Sequence, residues 1–423
     1  MRFLSELNTL IWGDGLVVLL LAAGIFCLFR CRRDMLRALK CTEHIPLTAC
    51  LTSLGAAMGT GNIAGVASAL ILGGAGAVFW MWIAGICGAG LLYAENVLSA
   101  KYRRGDITGA AACLRYGLNA PNATGFFSVC CIAASFGMGC MTQTHTMART
   151  LQCAFSVPPL LTGLLAACVT GAVILGGARR IGQFLTAAVP AVSAVYLLMG
   201  IFVILHNCAH LGEAFAAIFH HASGIDAALG GFAGEAVRRA VSVGVRRGVF
   251  SNEAGLGSSG LLHGEADGSP EFVGICAVGE LILDTFICCT VTALVILTSG
   301  VTSEDADLLV LTAFRTGLGS GADFLLPPVT ALFALCTLIG WSFCGSQALR
   351  GLTGGSCLTL YRIVFCIAAA LGACFDAALV WTIADIANGL MAYCNIPAVI
   401  LLLGAEDRKS AFHQIFGESS CKI

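Results

Sequence analysis

Apolar stretches of about twenty residues recur from one end of this chain to the other. They run approximately over 10–29, 46–73, 75–98, 124–148, 155–177, 181–205, 228–262, 271–299, 324–349, 357–374 and 377–404. About twenty apolar residues in helical conformation cross the hydrocarbon core of a bilayer. Within that core only helices and closed barrels satisfy their own backbone groups. Charge points the same way. Only 11% of the 423 residues are charged and 58% are hydrophobic, whereas a soluble domain carries about 25% charged residues. The reading is an all-α integral membrane protein with about eleven transmembrane helices. Most of the 22 cysteines lie inside these stretches, as in VCCIAAS and FICCTVT. They read as small packing residues. No Cys-x-x-Cys pair with matching histidines points to a metal site.

Orientation follows from lysine and arginine, which favour the cytoplasmic side. With the N-terminus outside, the inner segments collect 16 of the 23 basic residues: Arg30–Lys40, Lys101–Arg115, Arg179 and Arg180, Arg350 and Arg362, and Arg408–Lys422. Loop 206–227, on the outer side, has none. The basic cluster after the first apolar run reads as stop-transfer, not as a cleavable leader. The seventh stretch is unusual, because it carries Arg238, Arg239, Arg246 and Arg247.

The second stretch contains GAAMGTGNIAGVASAL at 55–70. Each glycine costs a helix about 1 kcal/mol relative to alanine. Two readings are open. The first is close helix packing through Gly55-xxx-Gly59 and Gly61-xxx-Gly65. The second is a break at Gly59–Asn62. A break frees amides that attract a carboxylate and carbonyls that suit a hard cation. Asn62-Ile-Ala-Gly65 is echoed by Asn252-Glu-Ala-Gly255 five spans later. Glycine-interrupted segments at matching positions of two halves point to a transporter's binding site.

Further motifs carry a resemblance. GTGNIAGVASAL, AVFWMW at 77–82, YAENVLSAKYR at 93–103, ILGGARRIGQFLTAAVP at 174–190 and RRGVFSNEAGLGSS at 246–259 resemble the alanine or glycine:cation symporter family, also called sodium:alanine symporters. So do Asp284-Thr285, IGWSFCG at 339–345 and ADIANGLMAYCN at 384–395. The matches are collinear over nearly the whole chain. The resemblance implies a LeuT-type fold, with one extra N-terminal helix before a ten-helix core of two inverted five-helix repeats. It divides a single transmembrane domain over 1–423 into an extra helix and basic loop (1–45), a first repeat (46–205), a second repeat (226–404) and a cytoplasmic tail (405–423). It implies a multi-pass protein of a prokaryotic cell membrane. This protein would import a small neutral amino acid, alanine or glycine, with Na+ and in some members H+.

The candidate substrate contacts implied are Gly59, Thr60, Gly61, Asn62, Gln143, Ser251, Asn252, Thr337 and Trp341. Thr60, Asn62 and Thr337 are the candidate Na+ ligands. Asn62 has a second reading as a helix cap at the break. Thr337 and Trp341 are four apart and share a helix face. Glu253 and Asp284 are candidate charge-relay groups, since intramembrane carboxylates are functional candidates. Glu253 has an alternative as a structural partner of Arg246 or Arg247. Asp284, Glu280, Asp385 and Asn388 have an alternative as helix–helix anchors. The sequence departs from the family at Cys140 and His145, where asparagines are usual, at GAAACL (109–114) and at Val273. These departures bear on substrate identity, and His145 bears on H+ coupling. The expected partners are a small neutral amino acid and the lipid bilayer, with no nucleic acid. A pump lacks its Walker A loop. An intramembrane enzyme would need Ser251 and His263 together, yet they are twelve residues apart, about 18 Å along a regular helix. A non-transporting amino-acid sensor is the remaining alternative.

Overall fold

The computed structural model describes residues 2–40, 47–223, 232–264, 266 and 268–416. Parts of the expected inner loop, seventh span and tail (41–46, 228–231 and 417–423) lie outside the described residues. The described chain is helical and has no strand, apart from an isolated bridge between Arg104 and Ile107.

The N-terminal pair is α1 (Arg2–Ile11) and α2 (Asp14–Ala38). Next come α3 (Leu47–Ala57), α4 (Ala64–Gly73) and α5 (Gly76–Tyr102). They are followed by α6 (Pro121–Phe136), α7 (Thr142–Phe155), α8 (Pro159–Ile174), α9 (Gly177–His206) and α10 (Leu211–Ser223). The second half has α11 (Phe232–Asn252), α12 (Pro270–Leu281), α13 (Thr290–Ser299), α14 (Ala306–Leu318), α15 (Gly321–Thr353), α16 (Leu358–Gly372) and α17 (Ala377–Phe416).

Among the described residues, seven helices are long and apolar enough to cross a membrane, or eight when α3 and the Thr60–Gly73 segment count as one bent span. α8 and α16 are apolar but shorter. α11 is long enough, but its four arginines set it apart from the apolar spans. The seventh segment is interrupted where its Asn252–Gly255 motif implied: its helix ends at Asn252 and resumes only at Ser259–Leu262. One boundary differs from the sequence reading. The residues expected to begin a separate polar tail continue α17 as far as Phe416, because nothing between 405 and 416 breaks a helix.

The bundle is inverted relative to a soluble protein. Leu198, Phe202 and Leu205 of α9 and Leu360 of α16 are exposed, whereas Thr142, Thr144, Ser251, Ser258 and Asp284 are fully buried. Lipid accepts the apolar exterior, and the polar groups find partners inside. Small residues let helices meet backbone to backbone. A Cβ at Gly24 of α2 would come within 2.5 Å of the Cys87 carbonyl of α5, and one at Gly90 of α5 would overlap the Leu28 backbone. Gly340 of α15 meets Ala56 of α3 in the same way. We therefore expect Gly90→Val to drive α2 and α5 apart and destabilise the protein by about 1–3 kcal/mol. Its thermal unfolding midpoint in detergent should fall. Gly279→Ala, with nothing within 4 Å of the added carbon, should unfold near the wild-type temperature.

Candidate functional site

The second apolar stretch does break. α3 ends at Ala57, a 3-10 turn covers Thr60–Asn62, and the two helical parts meet at 52°. Gly59 sits at the bend because no larger residue fits. Its Cβ would overlap the Thr337 hydroxyl and lie 2.9 Å from Gln143 Oε1. The freed amides are satisfied by side chains, as a buried break requires. Gly59 N–H donates to Asn62 Oδ1 at 3.1 Å. Thr60 donates to Gln143 Oε1 from both its N–H (3.0 Å) and its hydroxyl (2.9 Å). In this conformation those two amides are therefore engaged internally rather than open to a carboxylate.

Gln143 reaches the break because the helix before it is underwound. Gly137–Met141 form a π-helical segment, which inserts an extra residue and resets the phase of α7. The Gln143 side chain is held in turn by donating Nε2 to Met138 O at 3.0 Å. Thr337 of α15 donates to the Gly55 carbonyl at 3.2 Å, close to the end of α3.

The second break follows α11. Glu253 adopts a left-handed φ of +58°, and Gly255 and Gly257 have φ of +85° and +78°. A non-glycine residue in that region costs on the order of 1–3 kcal/mol unless its surroundings hold it there. Here they do. Glu253 Oε1 accepts from Trp341 Nε1 at 2.8 Å and Oε2 accepts from Ser258 at 2.5 Å. Trp341 is fully buried, against Gly139 of the π segment. Asn395 donates to the Gly255 carbonyl (3.0 Å) and to Glu95 Oε2 (2.7 Å). Asn252 Oδ1 accepts from Ala254 N–H, and its amide donates to Thr285.

Asp284 joins the two breaks. It lies in a second π-helical segment, Ile282–Cys289. Asn62 of the first break donates to its Oδ1 at 2.7 Å, and Ser251 of the second donates to its Oδ2 at 2.7 Å. Thr285 adds a third donor at 3.0 Å. Thr60, Asn62, Gln143, Ser251, Asn252, Glu253, Asp284, Thr337 and Trp341, distant in sequence, thus form one buried polar seam.

One sequence alternative is corrected. Glu253 does not pair with the arginines. Arg246 and Arg247 approach Asp385 instead, at 3.5 and 3.7 Å. The left-handed turn at Glu253 takes its side chain away from the face that α11 presents with Arg246 and Arg247. His145 does not satisfy Nδ1, which is buried without a hydrogen-bond partner. It lines a cavity of about 620 Å³ with Arg149, Arg246, Arg247, Asp305 and Asp385. Between this cavity and Gly61 stands an aromatic pair. The Phe250 ring lies against Gly61 and is 4.7 Å from the Trp381 ring, and Arg247 covers Trp381 at 4.3 Å. Trp381, Glu95 and Asn395 were not among the sequence candidates. For Glu95 the signal was available, as a carboxylate in the middle of an apolar span.

Two broken, polar segments meeting inside a bundle of apolar helices define a membrane transporter. Residues 1–412 match the sequence profile of the sodium:alanine symporter family, and the chain belongs to that family. It is similar to the sodium/alanine symporter AgcS of Methanococcus maripaludis, 36% identical over 98% of each chain. It is also similar to the probable sodium/glutamine symporter GlnT of Bacillus subtilis, 34% identical over 93% of this chain and 87% of that one. The sodium/proton-dependent alanine carrier protein of Bacillus sp. strain PS3 is 30% identical over 83% of each chain. The protein is thus a multi-pass membrane transporter and not an enzyme.

Asp284 yields a test of the seam. Asp284→Ala removes the carboxylate acceptor shared by three buried donors. Asn62 and Ser251 keep weaker acceptors, while Thr285 keeps no other among the described contacts. An unsatisfied buried donor costs about 1–3 kcal/mol. The expected loss is roughly 2–5 kcal/mol in denaturant unfolding, with increased maleimide labelling of Cys289, which contacts both Asn62 and Ser251. Asp284→Asn keeps one acceptor oxygen and should lose less. Wild-type stability in Asp284→Ala would show that the seam does not depend on this carboxylate.

Proposed function

We propose that this protein imports a small neutral amino acid, alanine or glycine, together with Na+ by alternating access. The observation that carries the reading is the pair of breaks at Gly59–Asn62 and Glu253–Ser258, tied to one another through Asp284. Broken helices facing each other offer amide donors to a carboxylate and carbonyl and hydroxyl oxygens to a hard cation. The substrate would sit among Gly59–Asn62, Gln143, Ser251, Asn252, Thr337 and Trp341. Its carboxylate would displace Asn62 and Gln143 oxygens from the Gly59 and Thr60 amides. The Thr337 hydroxyl and Gly55 carbonyl, already 3.2 Å apart, would serve Na+, with Thr60 and Asn62 oxygens nearby.

Size selection rests on Trp341. Its ring is pinned by Glu253 and packed against Gly139, so a longer side chain would have to unseat a buried tryptophan. That favours alanine or glycine over the glutamine named for one relative. With their oxygens filled by protein donors, Glu253 and Asp284 act on this reading as fixed acceptors that hold the breaks, rather than as a proton relay. The outer gate is the Phe250–Trp381 pair, capped by Arg247 and Asp385. The fold is LeuT-type, with eleven spans, an extra N-terminal helix, and inverted repeats over 46–205 and 226–404. The N-terminus lies outside and the C-terminus in the cytoplasm of a prokaryotic plasma membrane, supported by the sorting of basic residues.

Coupling to H+ is the second reading. It is favoured by the unpartnered His145 Nδ1 in the charged cavity, and one relative is named as sodium/proton-dependent.

Uptake of labelled alanine into proteoliposomes under an inward Na+ gradient tests the proposal. Na+-dependent accumulation suppressed by unlabelled glycine is the expected result. Uptake driven only by an imposed pH gradient would favour H+, and no uptake under either would exclude alanine. Thr337→Ala should raise the Na+ concentration for half-maximal uptake roughly ten- to hundredfold, the equivalent of a 1.5–3 kcal/mol contact to a charged group. Thr337→Ser, which keeps the hydroxyl, should stay close to wild type.

A further inference from the structure

Away from the seam, three segments bring a thiol, an imidazole and a carboxylate to one point. Cys50 comes from α3, His263 from the turn after Ser259–Leu262, and Glu280 from α12. Their ligand atoms all lie within 4.8 Å of one another. Cys50 is partly exposed, whereas His263 and Glu280 are buried. Cys276, one turn before Glu280 on the same helix, is a second thiol within hydrogen-bonding reach of Cys50. No spacing motif announces this group, because its members come from different spans.

The imidazole is oriented as a metal ligand would be. Its Nδ1 faces the Ser259 carbonyl at 3.1 Å, and its Nε2 faces Glu280 Oε1 at 3.0 Å. A backbone carbonyl at Nδ1 keeps the proton on that nitrogen and directs the Nε2 lone pair into the cluster. There it meets a carboxylate oxygen, another acceptor. Two acceptors at 3.0 Å need a positive centre between them, either a proton or a metal ion.

We propose that Cys50, His263 and Glu280 form a three-ligand binding site for a borderline-soft divalent metal of the Zn2+ class, with water completing the tetrahedron. Thiolate, imidazole and carboxylate together select zinc over calcium, magnesium or sodium, which take oxygen ligands. Tetrahedral bonds of about 2.0–2.3 Å hold ligand atoms roughly 3.3–3.8 Å apart. The observed separations therefore need only side-chain rotation to close. On binding, the Cys50 proton and the proton between His263 and Glu280 leave to water, and one metal–sulfur, one metal–nitrogen and one metal–oxygen bond form. The exposed edge of Cys50 is the way in.

Occupancy would tie α3, the first half of the broken span, to α12 and to the turn beyond the second break. If transport requires α3 to move relative to these elements, the bound ion slows it. This part rests on the transport reading above, and the binding itself does not.

The test titrates detergent-purified protein with Zn2+ buffered by a competing chelator. One tightly held Zn2+ per chain is expected. Its affinity should fall at least about tenfold in Cys50→Ala and in Glu280→Gln, as for other lost ligands. Zn2+ should raise the thermal midpoint of wild type and not of Cys50→Ala. Ca2+ should do neither. Equal Zn2+ affinity in wild type and both variants would overturn the site. In proteoliposomes with Zn2+ on both sides, alanine uptake should fall in wild type and persist in Cys50→Ala, and equal inhibition in both would overturn the clamp. Absence of alanine uptake before any metal is added would count against the transport reading alone, since the binding titration is independent of it.

Discussion

A peptide group has no water to bond to inside a bilayer, and this constraint governs the centre of the protein. Two helices are interrupted, and every interruption releases donors and acceptors that would cost several kcal/mol each if left bare. The protein answers with short polar side chains placed opposite the breaks. Asn62 folds back on Gly59, Gln143 reaches across to Thr60, and Asn252 supports Ala254. One carboxylate, Asp284, takes a donor from each broken segment and makes a single object of them. The same groups that satisfy the backbone are the ones a polar solute would compete for. On the proposed reading, stability and binding draw on one set of hydrogen bonds.

That overlap explains why the seam is built from neutral donors around fixed acceptors. On the proposed reading, a neutral amide such as Gln143 surrenders Thr60 to a substrate carboxylate and remains bonded to Met138 through its other end. Glu253 and Asp284, by contrast, are each held by at least two donors and are costly to disturb. The adaptable groups and the rigid ones are different residues.

Much of this arrangement was legible in the sequence, for a physical reason. Glycine and asparagine in an apolar run contradict the local preference for helix, and such contradictions mark functional sites. GTGN and SNEAG were visible on that ground, as were Asp284 and Glu253, since a carboxylate is expensive in a membrane. The π-helical segments were not visible. Ile282–Cys289 is ordinary in composition, and the two glycines of Gly137–Met141 do not announce an extra residue per turn. These segments decide which way Gln143 and Asp284 point. The left-handed turn at Glu253 was hidden for a similar reason. The nearness of Arg246 and Arg247 in sequence suggested an ion pair, but the left-handed turn leaves Glu253 bonded to Trp341 and Ser258 instead. The partnership of Glu280 with His263 and Cys50 likewise depends on which helices become neighbours, and a single span does not reveal that.

The N-terminal helices lie outside the proposed repeats, yet they are fastened to the far end of the chain. Trp12 Nε1 donates to the Asp385 carbonyl at 2.6 Å, across 373 residues. Arg246 stacks over the Trp12 ring at 5.4 Å, and Tyr393 donates to the Ile11 carbonyl. The Trp12 indole therefore finds this acceptor only once α17 is packed against the N-terminal pair. A bond spanning 373 residues forms only after both of its segments have been placed in the bilayer, so the N-terminal pair is seated no earlier than α17.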